Sequence, residues 1–345
     1  MSVGGSDAGP GSPVHEPGAG RRALVLGGGG HIGCAVVREL AGRGWRVVGL
    51  GRRPALPASL EGVPAEYRVA GPQELELARG CALVVDAAAP YPMDVPALEL
   101  PALRASALAR TDRWLDAAQR AGAVFAYVGS FVTAPAPPSG PWARWERAAR
   151  HRLHPYFETK RLLEERVLEA SRVGLRVAVV QPTTCLGPWD PKPRELSLVR
   201  RLARAEIPVA LSGRLDVVDV RDVARVLVDV AEGGPWGRPV AAAGHAVTVE
   251  MLCTRVAQLA GVEPPRFVAD GALLGATSWL ADLLAAAAGR LSPSGSLAVA
   301  LLREGRCAGR GAGAGSASRR RPPISLSRTL VDSLDWAQQL ERGAS

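Results

Sequence analysis

A short apolar run, Arg22-Ala23-Leu24-Val25-Leu26, ends in four consecutive glycines and leads directly into the amphipathic stretch Cys34-Ala35-Val36-Val37-Arg38-Glu39-Leu40-Ala41. That is a buried strand, a glycine turn and a helix, the order in which an open parallel sheet cradles a dinucleotide. Gly27, Gly30 and Gly33 stand at the spacing G-x-x-G-x-x-G. The first glycine lets the chain turn, the second lets backbone approach a pyrophosphate, and the third lets helix pack closely on strand. His31 and Ile32 lie inside this cradle and are counted with the three glycines as cofactor-binding residues.

The same alternation continues. Residues 46–50 read as a second strand, and its end bears on cofactor choice. An NAD site places an acid about 20 positions beyond the glycine turn, where it binds ribose hydroxyls. Here that place holds Gly51-Arg52-Arg53, with no carboxylate nearby. Arginine can pair with a 2′-phosphate, so Arg52 and Arg53 point to NADP, with NAD as the other candidate. Residues 83–89 form a further strand ending in small residues around Ala88, against which a flat cofactor can lie. A helix over 103–121 leads to a strand over 124–130, whose end presents the hydroxyl of Ser130 at the edge where such sheets bind ligands. A strand-end serine is also a common cap or turn residue, and that plainer role stays open. The proline-rich loop 134–138 follows and can reach over a site there.

The stretch from His154 to Lys160 carries Tyr156-x-x-x-Lys160 at the head of a predicted helix. Residues four apart share a helix face, so the phenol and the ammonium address one small volume. A fixed cation favours the phenolate and lowers a phenol pKa that starts near ~10. Tyr156 thereby becomes a usable proton donor or acceptor near neutral pH. The spacing alone equally suits a solvated lysine beside a half-buried tyrosine; the glycine turn and the strand ends around it favour chemistry.

Beyond it the helix runs through 168, a strand covers 175–180, and Gln181 to Pro188, including Pro182, read as a loop at the same edge. A helix over 196–205, an extended piece over 208–211, a strand over 216–220 and a helix over 223–231 capped by Asp222 come next. Thr248 caps another helix reaching 259, and a last helix covers 326–340. This rhythm predicts an α/β fold: a Rossmann-type doubly wound parallel sheet with a smaller C-terminal substrate-binding part. The expected organisation is a disordered leader over 1–20, an NAD(P)-binding core over 21–185 and a mixed substrate-binding region over 186–302 with strands returning to the core. A flexible basic linker over 303–323 and a C-terminal helix over 324–345 complete it.

Composition narrows the function classes. With 47% hydrophobic and 22% charged residues the chain is of ordinary globular make-up. Its net charge of +9 is almost all arginine scattered among alanine, glycine and proline, with no groove-reading motif, which argues against nucleic acid as a partner. The five cysteines form no paired metal-ligand spacing, so no metal is expected and a reducing compartment suits them. The apolar run 272–288 contains Asp282 and falls short of a spanning helix, and the leader has no apolar segment. The expectation is a cytoplasmic protein with a small-molecule substrate and no membrane partner.

Taken together, the Gly27/Gly30/Gly33 turn, Ser130 at a strand end, Tyr156 with Lys160, the Gln181-Pro182 to Gly187-Pro188 segment and Val220-Arg221-Asp222-Val223-Ala224 resemble the extended branch of the short-chain dehydrogenase/reductase superfamily. That branch contains the NAD-dependent epimerase/dehydratases and the dihydroflavonol reductase-like enzymes. The resemblance covers roughly residues 22 to 260. It implies that Tyr156 exchanges a proton with a substrate oxygen, that Lys160 lowers the tyrosine pKa and holds the nicotinamide ribose, and that Ser130 hydrogen-bonds the same oxygen. Pro182 would contact the nicotinamide side. A homodimer is likewise an expectation of the resemblance. Departures are present: His31 stands where an aromatic ring is usual, Gly71-Pro72-Gln73 lacks an aspartate, Asp86 replaces a frequent histidine, Ala107 an asparagine, and Gln181 a common arginine. None removes Ser130, Tyr156 or Lys160.

Three functions compete on this reading. The first is an NADPH-dependent reductase of a ketone or aldehyde. The second is a nucleotide-sugar epimerase or dehydratase using the same centre; a dehydratase needs carboxylates after the serine, and Phe131-Val132-Thr133 supplies none, while Arg200, Arg201 and Arg214 could serve an epimerase as phosphate-binding positives. The third is a non-catalytic NADP-binding regulator, against which the intact Ser130, Tyr156 and Lys160 argue.

Overall fold

The computed structural model describes residues 20–90, 99–134, 155–193, 197–269 and 322–342. Nearly all of the leader 1–20, the loop 134–138, the apolar run 272–288 and the linker 303–323 lie outside the described residues.

Twelve strands and seven helices are described. In chain order the first part comprises β1 (Arg22–Leu26), α1 (His31–Gly42), β2 (Arg46–Gly51), β3 (Glu66–Val69), β4 (Leu83–Asp86), α2 (Leu100–Ala121), β5 (Val124–Val128), α3 (Pro155–Arg172) and β6 (Val177–Pro182). The second part comprises β7 (Thr184–Leu186), α4 (Leu198–Leu202), β8 (Val209–Leu211), β9 (Arg214–Asp219), α5 (Val220–Gly233), β10 (Pro239–Ala242), β11 (His245–Thr248), α6 (Val249–Ala260), β12 (Phe267–Ala269) and α7 (Leu326–Arg342).

Seven strands build one sheet in the order β10-β6-β5-β4-β1-β2-β3, every neighbouring pair parallel. Such a sheet must be covered on both faces, and the sequence obliges: β5 and β6 are buried along their whole length. One face packs Val36, Val37 and Leu40 of α1 and Val223 and Leu227 of α5; the other packs Trp114 and Leu115 of α2 and Leu163 and Val167 of α3. Strand order reverses direction between β1 and β4, which opens a crevice at their carboxyl ends. The doubly wound α/β expectation therefore holds, with β10 returning to the sheet from the second half of the chain.

The smaller part has its own core of Leu186, Leu202, Val217, Leu252, Val256, Leu330 and Leu334. It is built on the three-stranded sheet β11-β9-β7 and the pair β12-β8. Helix α7 is an integral piece of it. Thr329 Oγ1 donates to Asp219 Oδ2 at 2.7 Å, and the Gly187 amide donates to Ser333 Oγ at 2.9 Å.

Several sequence expectations shift. Gln181 and Pro182 belong to strand β6 and not to a loop, because β10 lies beside them in register, Ala242 opposite Pro182. Proline's missing donor is tolerated at this strand end, and Thr183 N takes the Ala242 carbonyl at 3.1 Å. Residues 184–186 pair with β9 as β7. The cap of α5 is Asp219, which accepts from Arg221 N at 2.9 Å; Asp222 sits within the first turn and accepts from Ile324 N at 2.8 Å. The helix expected over 196–205 shortens to α4, and Ala205 behind it takes a left-handed φ of 54°. Helix α2 begins earlier than expected, with a proline in its first turn, where the absent N–H costs nothing.

Leu330 is 1% exposed in the core of the smaller part. Leu330→Ala should lower the unfolding free energy by about 2–4 kcal/mol, read by chemical denaturation.

Candidate active site

The carboxyl ends of β1, β4, β5 and β6 converge on the crevice beside the switch point, and almost every residue singled out in the sequence lies there. At the end of β1 the chain turns through Gly27, with φ 77°; a side chain there would meet the Ala87 carbonyl oxygen at 2.8 Å. Gly33 lies tighter still, since a Cβ would sit 2.0 Å from the Gly27 carbonyl oxygen. The amides of Gly27 and Gly28 bond to Leu50 O, tying the turn to β2. Helix α1 then starts from Gly30 without a side-chain cap and without an acid in its first turn. A helix amino terminus so arranged, approached by bare backbone, fits a pyrophosphate. The Ala87-Ala88 backbone lies directly across the turn, and Ala88 is exposed at the lip of the crevice.

The imidazole of His31 points elsewhere. It is buried beside Leu186, Gly187, Asp190, Ser333 and Trp336, and burial holds its pKa down to about 4 against the pull of Asp190. His31 and Ile32 thus offer a cofactor their backbone amides at the helix start.

Arg52 and Arg53 follow β2 and are both exposed. The structure adds a neighbour that sequence reasoning passed over. Tyr67 of β3 donates from its hydroxyl to Arg53 O at 3.2 Å, and a Cβ on Gly51 would collide with that hydroxyl at 2.1 Å. A side chain at Gly51, carboxylate included, would have to displace the Tyr67 hydroxyl. Only the side-chain alternation of β3, with a lone tyrosine among charged residues, hinted at it.

Ser130 caps the 3-10 turn Phe131–Thr133, its Oγ accepting from Val132 N at 3.4 Å. The plain role and the chemical one coexist. Tyr156, in the first turn of α3, donates from Oη to the same Ser130 Oγ at 3.1 Å, and both residues are buried. One turn later Lys160 is 7% exposed, with Nζ donating to Val128 O at 3.4 Å and lying 5.8 Å from the centre of the Tyr127 ring. It is no solvated lysine: burial pulls its pKa from 10.5 to about 8, with the charge of Asp86 acting in the opposite sense. Asp86 is itself fully buried, paired with Arg110 of α2 at 2.9 Å and accepting from Ala88 N. Pro182 is buried at the end of β6.

Beneath Ser130 lies a group that sequence reasoning did not single out. Glu164, 5% exposed, meets Thr133 Oγ1 at 2.7 Å and Gln181 Nε2 at 2.7 Å. Gly129 is glycine because a side chain there would strike Glu164 Oε2. The available signal was its position, four residues beyond Lys160 on the same helix face.

Among the described residues, no group of His, Cys, Asp or Glu could hold a metal ion, and no helix is long and apolar enough to cross a membrane. Four described cysteines are free thiols; burial pushes Cys34 and Cys185 up to about 12, which leaves both inert as nucleophiles.

Comparison with known proteins gives a consistent picture. Residues 23–240 match the NAD dependent epimerase/dehydratase family. A Synechocystis sp. protein provisionally named a dihydroflavonol 4-reductase is 29% identical over 208 residues, 58% of this chain and 60% of its own length. Sterol demethylase protein B of Methylococcus capsulatus is 27% identical over 272 residues, 76% of this chain and 81% of that one. Among solved structures, a nucleoside-diphosphate-sugar epimerase from Pseudomonas aeruginosa superposes with a TM-score of 0.68 at 24% identity, covering 93% of this chain and 99% of its own. That likeness is one of fold.

The buried lysine makes a stability prediction. A folded pKa near 8, below the free value of 10.5, means that burying the charge costs stability below pH 8, and the cost is relieved as pH rises to 10.5. Across that window the wild-type protein should gain at most roughly 3 kcal/mol of unfolding free energy relative to Lys160→Met, measured by denaturation of both at matched pH.

Proposed function

The chain belongs to the NAD dependent epimerase/dehydratase family, and from that premise we propose that it is an NADPH-dependent reductase of a ketone or aldehyde. The observation that carries the reading is the hydrogen bond of 3.1 Å between Tyr156 Oη and Ser130 Oγ, at the carboxyl edge of the sheet and two strands along from the glycine turn. A carbonyl oxygen bridging these two hydroxyls receives two donors. Ser130 polarises it, and Tyr156 hands over its proton as negative charge develops.

The dinucleotide, when bound, supplies the hydride. Gly27, Gly30, Gly33 and the amides of His31 and Ile32 would take its pyrophosphate, Arg52 and Arg53 a 2′-phosphate, and Ala88 and Pro182 would flank it deeper in the crevice. Lys160, buried one turn from Tyr156, would hold the nicotinamide ribose and keep positive charge beside the phenol. With its pKa near 8, it can also pass a proton onward to restore the tyrosine.

The reductase is preferred over a dehydratase because the turn Phe131–Thr133 after Ser130 carries no carboxylate. NADPH is preferred over NADH because the end of β2 offers arginines, and Tyr67 fills the space over Gly51. The name of one relative, a dihydroflavonol 4-reductase, runs in the same direction. The likeness of fold to a nucleoside-diphosphate-sugar epimerase keeps epimerisation as the second reading. Of the arginines that could serve it, Arg200 reaches Glu341 and the Lys192 carbonyl. We place the working protein in the cytoplasm and expect it to pair as a homodimer.

Purification with its native nucleotide separates the readings: tightly retained NAD favours the epimerase, free exchange with a preference for NADPH the reductase. Tyr156→Phe should keep NADPH affinity within about threefold, by fluorescence titration, while turnover falls by roughly a hundredfold or more. Wild-type turnover in that variant would remove the assignment. Arg52→Ala should weaken NADPH about tenfold and NADH hardly at all, the loss of about one charge-assisted phosphate contact.

A further inference from the structure

Hydrogens can be counted around Thr133. Its hydroxyl carries one, yet two oxygens lie 2.7 Å away: the Ser130 carbonyl and Glu164 Oε2. Gln181 Nε2 uses one hydrogen on Glu164 Oε1 at 2.7 Å and the other on Thr133 Oγ1 at 2.9 Å. If Glu164 is ionised, the Thr133 hydrogen can serve only one of its two neighbours, and the other contact becomes an unbridged pair of oxygens at hydrogen-bond distance. If Glu164 Oε2 carries a proton, every contact is satisfied at once: Glu164 donates to Thr133, Gln181 donates to both, and Thr133 donates to the Ser130 carbonyl. Reversing the Gln181 amide does not rescue the ionised form, since it sets an oxygen against Glu164 Oε1 and again demands a proton on the acid.

We infer that Glu164 is held as a neutral carboxylic acid and acts as a positioning residue, fixing the Gly129-Ser130 backbone through Thr133. Its carboxyl lies against the bare backbone of Gly129, one residue before the serine. No ion pair reaches Glu164 among the described residues; the nearest cation, Lys160, donates to Val128 O, and its charge lowers the Glu164 pKa without reversing the rise that burial causes. Burial raises the Glu164 pKa, which agrees with the hydrogen count. The charged and titratable groups facing it are Lys160 and Glu165 from α3 and Tyr127 from β5. Strand β6 and the turn after β5 contribute the neutral Gln181, Thr133 and Ser130. The position of Gln181 is what permits the neutral acid: an amide donates hydrogen bonds without bringing a charge to hold a carboxylate ionised.

The part of this inference that concerns turnover rests on the proposed role of Ser130; the protonation state does not. A raised folded pKa means that wild-type stability falls as pH climbs from the ordinary carboxylate range through the folded value. Glu164→Gln has no such proton to lose. Its unfolding free energy relative to wild type should therefore rise with pH across that window. A difference between Glu164→Gln and wild type that stays flat or falls as pH rises would overturn the inference, because an anion accepting two bonds gains stability on ionising. For turnover, Glu164→Leu should lower kcat about tenfold with KM for NADPH nearly unchanged. Any fall in wild-type rate that accompanies ionisation of Glu164 should be missing from the pH profile of Glu164→Gln, leaving only the limb that belongs to Tyr156 and Lys160. An unchanged kcat in Glu164→Leu would overturn the positioning role. A failed Tyr156→Phe test would leave the stability difference where it is, so the two ideas fail separately.

Discussion

The close approach of helix α1 to the end of strand β1 is the constraint on which the rest of the molecule depends. With a Cβ at Gly33 only 2.0 Å from the Gly27 carbonyl, any other residue would push the helix off the sheet. Seated as it is, the helix brings its amino terminus to the switch point and leaves bare backbone there. That same turn is packed against Ala87 and Ala88 on one side and tied to Leu50 on the other. The cradle for a nucleotide and the packing of the central sheet are one arrangement.

Around this frame the crevice collects groups that a surface would not tolerate. Lys160, Asp86 and Glu164, from one strand and one helix, are all nearly or fully buried. Each is handled differently: Asp86 by Arg110, Lys160 by a backbone carbonyl and an aromatic face, Glu164 by neutral hydrogen-bond partners. Unpaired charge in such surroundings is costly, so a shifted titration is the expected response of Lys160 and Glu164. Placing Lys160 and Glu164, whose ionisations burial shifts, next to a tyrosine and a serine is the electrostatic character expected of a proton-transfer site.

The smaller part of the protein is fastened by polar contacts that no local pattern announces. Asp219 caps α5, pairs with Arg221 and accepts from Thr329 more than a hundred positions away. Ser333 reaches Gly187 in the segment after β7. A helix that reads in sequence as a closing appendage is thereby built into the floor of the second half.

Local chemistry was enough to read the strand, turn and helix of the first half, the serine at a strand end, and the tyrosine and lysine one helical turn apart. Those features live within a few residues of each other, where backbone sterics and side-chain period act directly. The boundaries around Gln181 and Asp219 were misread because pairing with β10 and capping in a crowded corner depend on residues distant in the chain. Tyr67 over Gly51, and the union of Thr133, Glu164 and Gln181 under Ser130, could not be foreseen for the same reason: three separate segments must meet before a hydroxyl can be short of hydrogens. Residue types and short spacings determined what chemistry the chain can carry; only the folded arrangement decided which buried groups share protons, since that depends on distances the sequence does not contain.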